Sequence, residues 1–379
     1  MARRRLRLGM IGGGPGSFIG SVHRMAARLD DQYVLVAGAF SADAGRTQEM
    51  GRQTFLDPAR IYADWREMVR VEAERDDRPD AIAIVTPNYL HHAPAKACLE
   101  AGFHVICDKP MTTRWADALD LADTVERTGQ LFALTHNYSA YPQVRLMRTM
   151  IRDGELGALR LVQAEYPQEW ASTAVETTGD RRAEWKADPA RAGAGGAVGD
   201  IGTHAYQLAC FVTGRTAASL CAELTAFVPG RRLDDNAHLL LRYDDGMRGS
   251  LWASQVAIGN QNAFSLRVIG ETGALTWSQE QPNQLLFARH REAVRCLERQ
   301  FAGSRLPPGH PEGFIEAFGR LYSDFAEQLG ARLESRAARP EALLVPTVED
   351  GCEGVRFVLG AVKSSRQGGI WIARDDWAT

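Results

Sequence analysis

The feature that most constrains this chain is a glycine-rich loop between a short apolar run and a helical stretch near the N-terminus. Leu6–Ile11 has the composition of a strand, glycines dominate Gly12–Gly20, and Ser21–Arg28 has helical periodicity. Glycines let the backbone turn sharply and approach a pyrophosphate, and the helix start offers N–H groups and positive potential. This context predicts a dinucleotide-binding loop, the alternative being a strand-to-helix turn that binds nothing.

The spacing of the loop departs from the usual G-x-G-x-x-G pattern. The glycine in the position that packs the helix against the strand is Gly20, which makes the loop longer. The residues of this loop that we expect to contact the cofactor are Gly12, Gly14, Gly16, Ser17, Phe18 and Ile19.

The first third of the chain alternates short apolar runs with helical stretches. The runs lack the polar–apolar alternation of a half-exposed strand, as expected where helices cover both faces of a parallel sheet. The pattern predicts an α/β domain with a doubly wound parallel sheet. Its predicted strands are Leu6–Ile11, Tyr33–Phe40, Ala81–Val85, His104–Cys107 and Leu131–Thr135, and its predicted helices include Ala63–Glu74, Pro94–Ala101 and Trp115–Arg127.

After Tyr141 the pattern changes to consecutive strands joined by turns such as Asp244-Asp245-Gly246. Such turns predict a large, mostly antiparallel sheet. We therefore predict two domains, residues 1–138 and 139–379, the second an α/β domain with an open sheet. The helices expected in this domain are Val144–Arg152, Asp200–Thr213, Glu312–Leu333 and Val348–Ser365.

Composition excludes several classes of protein. With 379 residues, 45% hydrophobic and 24% charged, the chain is typical of a soluble two-domain protein, and a net charge of −3 gives no basic field for nucleic acid. No apolar run has the length of a membrane span. The six cysteines form no C-x-x-C pair, which favours a reducing compartment, the cytoplasm. His91-His92 has no third ligand at metal-binding spacing, so we expect no metal.

The end of the second predicted strand bears on the choice between NAD and NADP. An acid there pairs with the ribose hydroxyls of NAD, whereas a small polar residue followed by arginine suits a 2′-phosphate. Ser41 lies at the end of the second predicted strand, Asp43 lies two residues later, and Arg46 follows within the next helix. We predict NAD, with NADP as the alternative through Ser41 and Arg46.

Three motifs beyond the glycine loop lie at strand ends or at a helix start. They are Val85-Thr86-Pro87-Asn88-Tyr89-Leu90-His91, His104-Val105-Ile106-Cys107-Asp108-Lys109-Pro110 and Gly195-Gly196-Ala197-Val198-Gly199-Asp200-Ile201-Gly202-Thr203-His204. Together with the glycine loop and Thr135-His136-Asn137-Tyr138, they resemble the glucose–fructose oxidoreductase, inositol dehydrogenase and rhizopine-catabolism family, usually written Gfo/Idh/MocA. The resemblance covers essentially the whole chain.

The resemblance implies a Rossmann domain that binds NAD(H) or NADP(H), followed by an α/β domain. It implies an enzyme that oxidises a hydroxyl of a sugar, glycoside or cyclitol, or reduces the matching ketone. It also implies a homodimer or homotetramer that pairs through the open sheet, where we expect Leu251, Trp252 and Val268 to be exposed. Neither a nucleic acid nor a membrane is an expected partner.

The family's catalytic lysine maps onto Lys109, and its Asp-x-x-x-His maps onto Asp200 and His204. Members usually carry Glu-Lys-Pro, so Asp108 is a shorter acid than the family norm, and its reach is open to question. The remaining residues that the resemblance places beside the cofactor are Thr86, Pro87, Asn88, His91, Asp108, Lys109 and Asn137.

Physical chemistry supports these assignments. Asp200 and His204 are four residues apart at a predicted helix start and share one face, and the acid suits the helix dipole. Removing a hydride from a carbinol carbon also requires a base for the hydroxyl proton. Lys109 follows a parallel strand at its carboxyl end, the edge where doubly wound sheets bind ligands.

Several polar and aromatic residues have two interpretations. Tyr166, Trp170 and Trp185 flank a long glycine-rich loop and could stack on a sugar ring or pack in the core. We assign substrate contacts to Tyr166 and Trp185, together with Lys109, Asp200 and His204. Asp234-Asp235-Asn236 fits a turn slightly better than a sugar-binding site.

Two other functions stay open at this point. One is a redox-assisted glycosidase on the same fold, in which transient oxidation at C3 permits elimination and the hydride then returns. The other is a dinucleotide-sensing regulator without catalysis, disfavoured because Lys109, Asp200 and His204 are all present. Net release of NADH with substrate separates a dehydrogenase from the glycosidase.

Overall fold

The computed structural model describes residues 4–179, 181–300 and 303–378, without the side chains of residues 181 and 182. The chain forms two compact units. The first comprises Met1–Ala140 and Phe314–Cys352, and the second Tyr141–Gly313 and Glu353–Thr379. The division drawn from the sequence, 1–138 and 139–379, did not include the return of Phe314–Cys352 to the first unit.

The helices and strands follow one another in the order that the two sequence patterns indicate. In the N-terminal part they are β1 (Leu6–Gly12), α1 (Phe18–Leu29), β2 (Tyr33–Ala39), α2 (Ala44–Gln53), α3 (Trp65–Ala73), β3 (Ala81–Val85), α4 (His92–Glu100), β4 (His104–Cys107), α5 (Trp115–Thr128) and β5 (Phe132–Leu134). The rest of the chain contains α6 (Pro142–Arg152), β6 (Leu159–Pro167), α7 (Arg181–Lys186), α8 (Pro189–Ala192), α9 (Thr203–Thr213), β7 (Ser219–Thr225), β8 (Asn236–Arg242), β9 (Arg248–Ser254), β10 (Ser265–Gly270), β11 (Gly273–Ser278), β12 (Gln284–Arg289), β13 (Arg295–Glu298), α10 (Phe314–Leu333), α11 (Val348–Arg366) and β14 (Ile372–Ala373).

The first unit is built on a five-stranded sheet in the order β2-β1-β3-β4-β5. All four neighbouring pairs are parallel, and every residue of β3 is buried. This confirms the doubly wound sheet, because an uninterrupted apolar strand is stable only where both faces are covered.

Helix α10 packs against α1 in this unit. The rings of Phe18 and Phe314 stack with centroids 6.3 Å apart. Further along the two helices, Nδ1 of His23 in α1 lies 2.8 Å from the hydroxyl of Tyr322 in α10, and both side chains are buried. Aromatic and polar contacts therefore fasten α10 to the helix that follows the glycine loop.

The second unit carries a nine-stranded sheet in the order β13-β12-β11-β10-β6-β9-β8-β7-β14. Its pairs are antiparallel except for β6 with β9, which confirms the largely antiparallel prediction. Strands β13 and β14 were not expected from the sequence, because both are short edge strands without a clear apolar pattern.

The two faces of this sheet differ. Side chains alternate along β8 between buried positions and exposed ones such as His238 and Leu240. Trp252 lies on the exposed face, its ring parallel to that of His238 with centroids 5.9 Å apart. The prediction that Leu251 and Val268 are also exposed was wrong, since both point into the core and are 2% and 0% exposed.

No helix in residues 4–179, 181–300 and 303–378 has the length and apolar character needed to cross a membrane.

A buried ion pair links α3 to the preceding turn and gives a stability prediction. Arg60 forms a bidentate ion pair with Glu72, which also accepts a hydrogen bond of 2.8 Å from Tyr62, and the Glu72 side chain is fully buried. The change Arg60→Met leaves this carboxylate buried without its guanidinium, so we expect a loss of about 3–5 kcal/mol in the free energy of unfolding.

The matched control is Arg127→Met, which breaks the exposed pair between Arg127 and Glu100, with side chains 54% and 42% exposed. It should cost less than about 1 kcal/mol. Urea unfolding followed by tryptophan fluorescence measures both variants. Equal costs for the two changes would contradict the prediction.

Candidate functional site

The glycine loop joins β1 to α1 through backbone that needs glycine. Gly12 and Gly16 have φ of +86° and +79°, a region that other residues rarely occupy. A Cβ added to Gly20 would lie 2.4 Å from Cα of Gly13. Gly20 is therefore the position where the helix packs against the loop, as its spacing predicts.

The start of α1 is capped from within the loop. The Ser17 hydroxyl accepts a hydrogen bond of 3.1 Å from the Gly20 N–H. The first N–H groups of a helix, here those of Phe18 and Ile19, have no acceptor within the helix. These amides and the positive end of the helix dipole form an anion-binding terminus of the kind that holds a pyrophosphate.

The residues at the tip of β2 have partners within the protein. The carboxylate of Asp43 accepts a hydrogen bond of 2.9 Å from the Arg46 N–H and so caps α2. The Ser41 hydroxyl accepts from the Asp43 N–H, and the Arg46 guanidinium donates to the carbonyl of Pro15 at 2.5 Å. The acid that we expected at the ribose is thus a helix cap, while Arg46 ties α2 to the glycine loop.

His91 joins two turns below the carboxyl edge of the sheet. Its ring is fully buried, and its two nitrogens lie 2.8 Å from the carbonyl oxygens of Pro110 and Thr86. Burial lowers the pKa of His91, while the charge of Asp108 opposes this effect. His91 therefore links the turn after β3 to the turn after β4, and the cofactor contact expected of it from the motif stays a prediction.

Two buried polar atoms beside these turns fit a cofactor. The hydroxyl of Thr86 and the side-chain nitrogen of Asn137 are inaccessible to water and have no hydrogen-bond partner among the described residues. Buried polar groups in folded proteins are rarely left unsatisfied. Both residues were predicted to contact the cofactor, as were Pro87 and Asn88, which form the turn that follows β3.

Asp108 has its own set of partners despite being shorter than glutamate. Its carboxylate accepts a hydrogen bond of 2.7 Å from Thr135 and lies 3.6 Å from Nε2 of His23. Burial raises the pKa of this carboxyl, but the interactions with His23, His91 and Thr135 outweigh it and hold the pKa at about 2. Asp108 is therefore an anion, and it anchors the residue before Lys109 in the interior.

Lys109 is the residue after Asp108, and its side chain is only partly buried. Its charge and, more strongly, burial lower the pKa of the neighbouring His136 to about 3. His136 is therefore neutral at physiological pH. In the first unit, the Lys109 side chain thus follows β4 and is close to a neutral imidazole, and its neighbour in the sequence is a buried carboxylate.

Asp200 lies in a π-helical turn, Val198–Gly202, and His204 in the first turn of α9. The N–H groups of Gly196 and Val198 donate to the Asp234 carboxylate at 2.6 and 2.8 Å. Burial raises the pKa of Asp234 to about 6. Asp234 therefore shapes the turn that carries Asp200, through bonds to distant backbone that the local turn favoured from the sequence did not include.

Lys186 and Gln255 both contact one carboxylate oxygen of Asp200. The ammonium of Lys186 lies 2.5 Å from its Oδ2, and the amide of Gln255 donates to the same atom at 2.9 Å. The Lys186 ammonium is also 5.6 Å from the ring centre of Trp170 and 6.0 Å from that of Trp185. This cluster brings Trp185 and Asp200 together.

His204 and Tyr166 are also neighbours, with ring centroids 6.3 Å apart. The ring of Tyr166 is stacked on Phe264 at 4.5 Å, and both Tyr166 and His204 are buried, 4% and 6% exposed. One face of the Tyr166 ring is thus taken by core packing.

Three residues that matter to this geometry were not identified from the sequence: His23, Tyr322 and Lys186. The first two are 299 residues apart and meet only through helix packing. The one local signal for Lys186 is its position after Trp185 in the glycine-rich loop. Among the described residues, no group of three or more His, Cys, Asp or Glu side chains is arranged to hold a metal ion.

Comparison with known proteins agrees with this organisation. Residues 6–136 match the model of the oxidoreductase family with an NAD-binding Rossmann fold, and residues 144–276 match the GFO/IDH/MocA C-terminal domain. The uncharacterized oxidoreductase YfiI of Bacillus subtilis is 32% identical, covering 97% of this chain and 96% of its own length.

Solved structures extend the likeness to the whole chain. An oxidoreductase from Sinorhizobium meliloti is 45% identical with a TM-score of 0.88, covering 98% of this chain and all of the other. An inositol dehydrogenase homolog from Azotobacter vinelandii, solved with NAD+ and also with NADH and myo-inositol, is 36% identical, with TM-scores of 0.92 and 0.89 and at least 97% of each chain covered. The strand–glycine loop–helix of the first unit, the sheet of the second and these matches together place the chain in the Gfo/Idh/MocA family of NAD-binding oxidoreductases.

Proposed function

We propose that this protein is an NAD-dependent dehydrogenase acting on a secondary hydroxyl of a cyclitol, sugar or glycoside. The observation that carries the proposal is the cluster of Asp200, Lys186, Trp185 and Trp170 beside His204 in the second unit. Carboxylate, amide and imidazole groups can exchange hydrogen bonds with hydroxyls, and indole faces suit the apolar C–H face of a ring. The myo-inositol complex of the Azotobacter homolog supports a cyclitol within this class.

The proton chemistry falls to Lys109 and His204. Oxidation of a carbinol requires a base that takes the hydroxyl proton, and the bound nicotinamide supplies the hydride acceptor. Lys109, which follows β4, is the proposed proton acceptor, a role that it performs as the neutral amine. His204 is proposed to act with Lys109 as one acid–base unit on the substrate oxygen, and Asp200 to position its neighbours.

A substrate panel tests this function directly. Wild-type protein is incubated with NAD and each of a set of inositols, aldoses and glycosides, and NADH is followed by its absorbance. We expect net NADH release with at least one member. Cleavage of a glycoside without net NADH would instead identify the redox-assisted glycosidase.

The compartment and assembly are part of the proposal. None of the six cysteines, all within the described residues, forms a disulfide bond, which supports a cytoplasmic protein. The exposed face of the second unit bears a cleft of about 720 Å³ lined by Phe227, Trp252 and Ile258 among others, and Ile258 is 81% exposed. Contiguous apolar surface of this kind is usually covered by a partner, and we propose a second copy of the chain in a homodimer or homotetramer.

Light scattering tests the assembly. The measured mass should be two or four times the 41.7 kDa of one chain. A single 41.7 kDa species at micromolar concentration would reject the oligomer. Replacing Ile258 by Asp should shift a dimer toward the monomer, because the charge would enter an apolar interface.

Cofactor preference gives a further prediction. Asp43 lies beside Ser41 and would repel a 2′-phosphate, while Arg46 is engaged with Pro15. We expect NAD to bind more tightly than NADP in fluorescence titrations. A preference of ten-fold or more for NADP, about 1.4 kcal/mol, would contradict this.

The variant Asp43→Asn refines the test, since asparagine also caps helices well but removes the charge. In this variant, the ratio of the Kd for NADP to the Kd for NAD should be closer to one than in the wild-type protein. Its control is Asp64→Asn, which makes the same change at the cap of α3, where Asp64 accepts from the Arg66 N–H at 2.8 Å. The control should leave the ratio unchanged.

Another prediction concerns the proposed acid–base residues. Lys109→Ala and His204→Ala should each lower kcat by about a hundred- to ten-thousand-fold while NAD still binds. If both groups serve one proton, the double variant should be little worse than the poorer single variant. Asp200→Asn should cost less, because the proton acceptor remains.

The matched control for Lys109 is Lys96→Ala on α4, where Lys96 pairs with Asp120 at 2.6 Å. It should leave kcat unchanged. A Lys109→Ala enzyme with more than about a tenth of wild-type turnover would show that Lys109 is only a cofactor or surface contact.

A further inference from the structure

The ion pair between Lys186 and Asp200 has a setting that distinguishes it from surface salt bridges. The two side chains are 24% and 19% exposed, and their N–O distance is 2.5 Å. Gln255 donates to the same oxygen at 2.9 Å. A charge-assisted bond that is mostly removed from water is stronger than an exposed one, where solvent and salt screen the charges.

Two indole rings also lie near the ammonium of Lys186. The ring centres of Trp170 and Trp185 lie 5.6 and 6.0 Å from Nζ of Lys186, within the range of cation–π attraction. Trp170 is itself held by a hydrogen bond of 3.1 Å from its ring N–H to Gln168. The position of the ammonium is therefore fixed by aromatic rings as well as by the carboxylate.

A purely structural role would make Lys186 an anchor for the segment between β6 and α9. Other ion pairs already hold this segment. Arg231 pairs with Glu176 at 3.0 Å and donates to the Thr173 carbonyl, and Arg232 pairs with Asp188 at 3.0 Å. Lys186 differs from these anchors because its carboxylate partner is the acid of the Asp-x-x-x-His motif.

We propose that Lys186 is a positioning residue for Asp200, keeping its carboxylate ionised and its Oδ2 fixed so that the acid accepts a hydrogen bond from a substrate hydroxyl. This inference rests on the proposed function. Partial burial disfavours a charged carboxylate, and an ammonium in contact favours it. An ionised carboxylate accepts hydrogen bonds only, so the substrate must present a donor, as a neutral polyol does.

The charged and titratable groups around Asp200 come from several elements. Lys186 reaches it from α7, while the Gln255 amide after β9 carries no charge. Asp234 is directed to the backbone of the same turn, and His204 follows on α9. Lys186 is thus a cation in direct contact with the Asp200 carboxylate, a position from which it favours the ionised form.

The kinetic test compares Lys186→Met with Arg232→Met, which breaks the Asp188 pair in the same segment. With the best substrate of the panel, Lys186→Met should lower kcat/KM by about ten- to one-hundred-fold, the range for loss of one charge-assisted hydrogen bond. NAD affinity should stay within two-fold. Arg232→Met should retain wild-type kinetics, Lys186→Arg should recover part of the loss, and methylammonium should restore activity to Lys186→Ala.

Infrared titration of the Asp200 carboxyl provides a readout that needs no turnover. Its signal is isolated by subtracting the spectrum of the corresponding Asp200→Asn variant. The titration midpoint should be higher in Lys186→Met than in wild type and unchanged in Arg232→Met. This measurement tests Lys186 even if no panel substrate reduces NAD, an outcome that would count against the proposed function alone.

Three results would overturn the inference. One is an unchanged infrared midpoint in Lys186→Met. Another is a kcat/KM in Lys186→Met above half of the wild-type value. The third is a loss of activity that methylammonium does not restore and that accompanies a lower thermal midpoint than Arg232→Met shows, because that pattern identifies Lys186 as a segment anchor.

Discussion

The contact between Gly13 and Gly20, which leaves no room for a Cβ, is the constraint on which the first unit depends. It brings α1 down onto the glycine loop and so fixes where the rest of that helix lies. His23, three residues further on, then meets Asp108 at the end of β4 and Tyr322 on α10. One backbone approach thereby places the nucleotide loop, the acid before Lys109 and the returning helix in a single packed arrangement.

In the second unit, the Asp234 carboxylate provides a comparable constraint on the backbone. Its two bonds from the amides of Gly196 and Val198 shape the π-helical turn that carries Asp200. A turn of this kind interrupts regular helical geometry and is often found at functional sites. Asp200 then meets Lys186 and Gln255, which come from two other segments, so these contacts of its carboxylate are tertiary.

Much of the fold follows from the local pattern of apolar residues. Strands and helices have different periodicities, and each can be recognised within a short stretch of sequence. The buried run of β3 and the alternation of β8 predict a parallel and an antiparallel sheet respectively, and both are present. Edge strands such as β14, with two residues, carry too little pattern to be recognised. The return of α10 to the first unit also has no local signature, since its apolar face could pack on either unit.

The sequence by itself determined the loop that approaches a dinucleotide, the strand ends on which Lys109 lies, and the four-residue spacing of Asp200 and His204. Each of these depends on neighbours within a few residues. Tertiary structure decided that Arg46 binds the carbonyl of Pro15, that His91 joins two turns in the interior and that Lys186 pairs with Asp200. These side chains could form several hydrogen bonds equally well, and only the packing of distant segments selects which partner comes within reach.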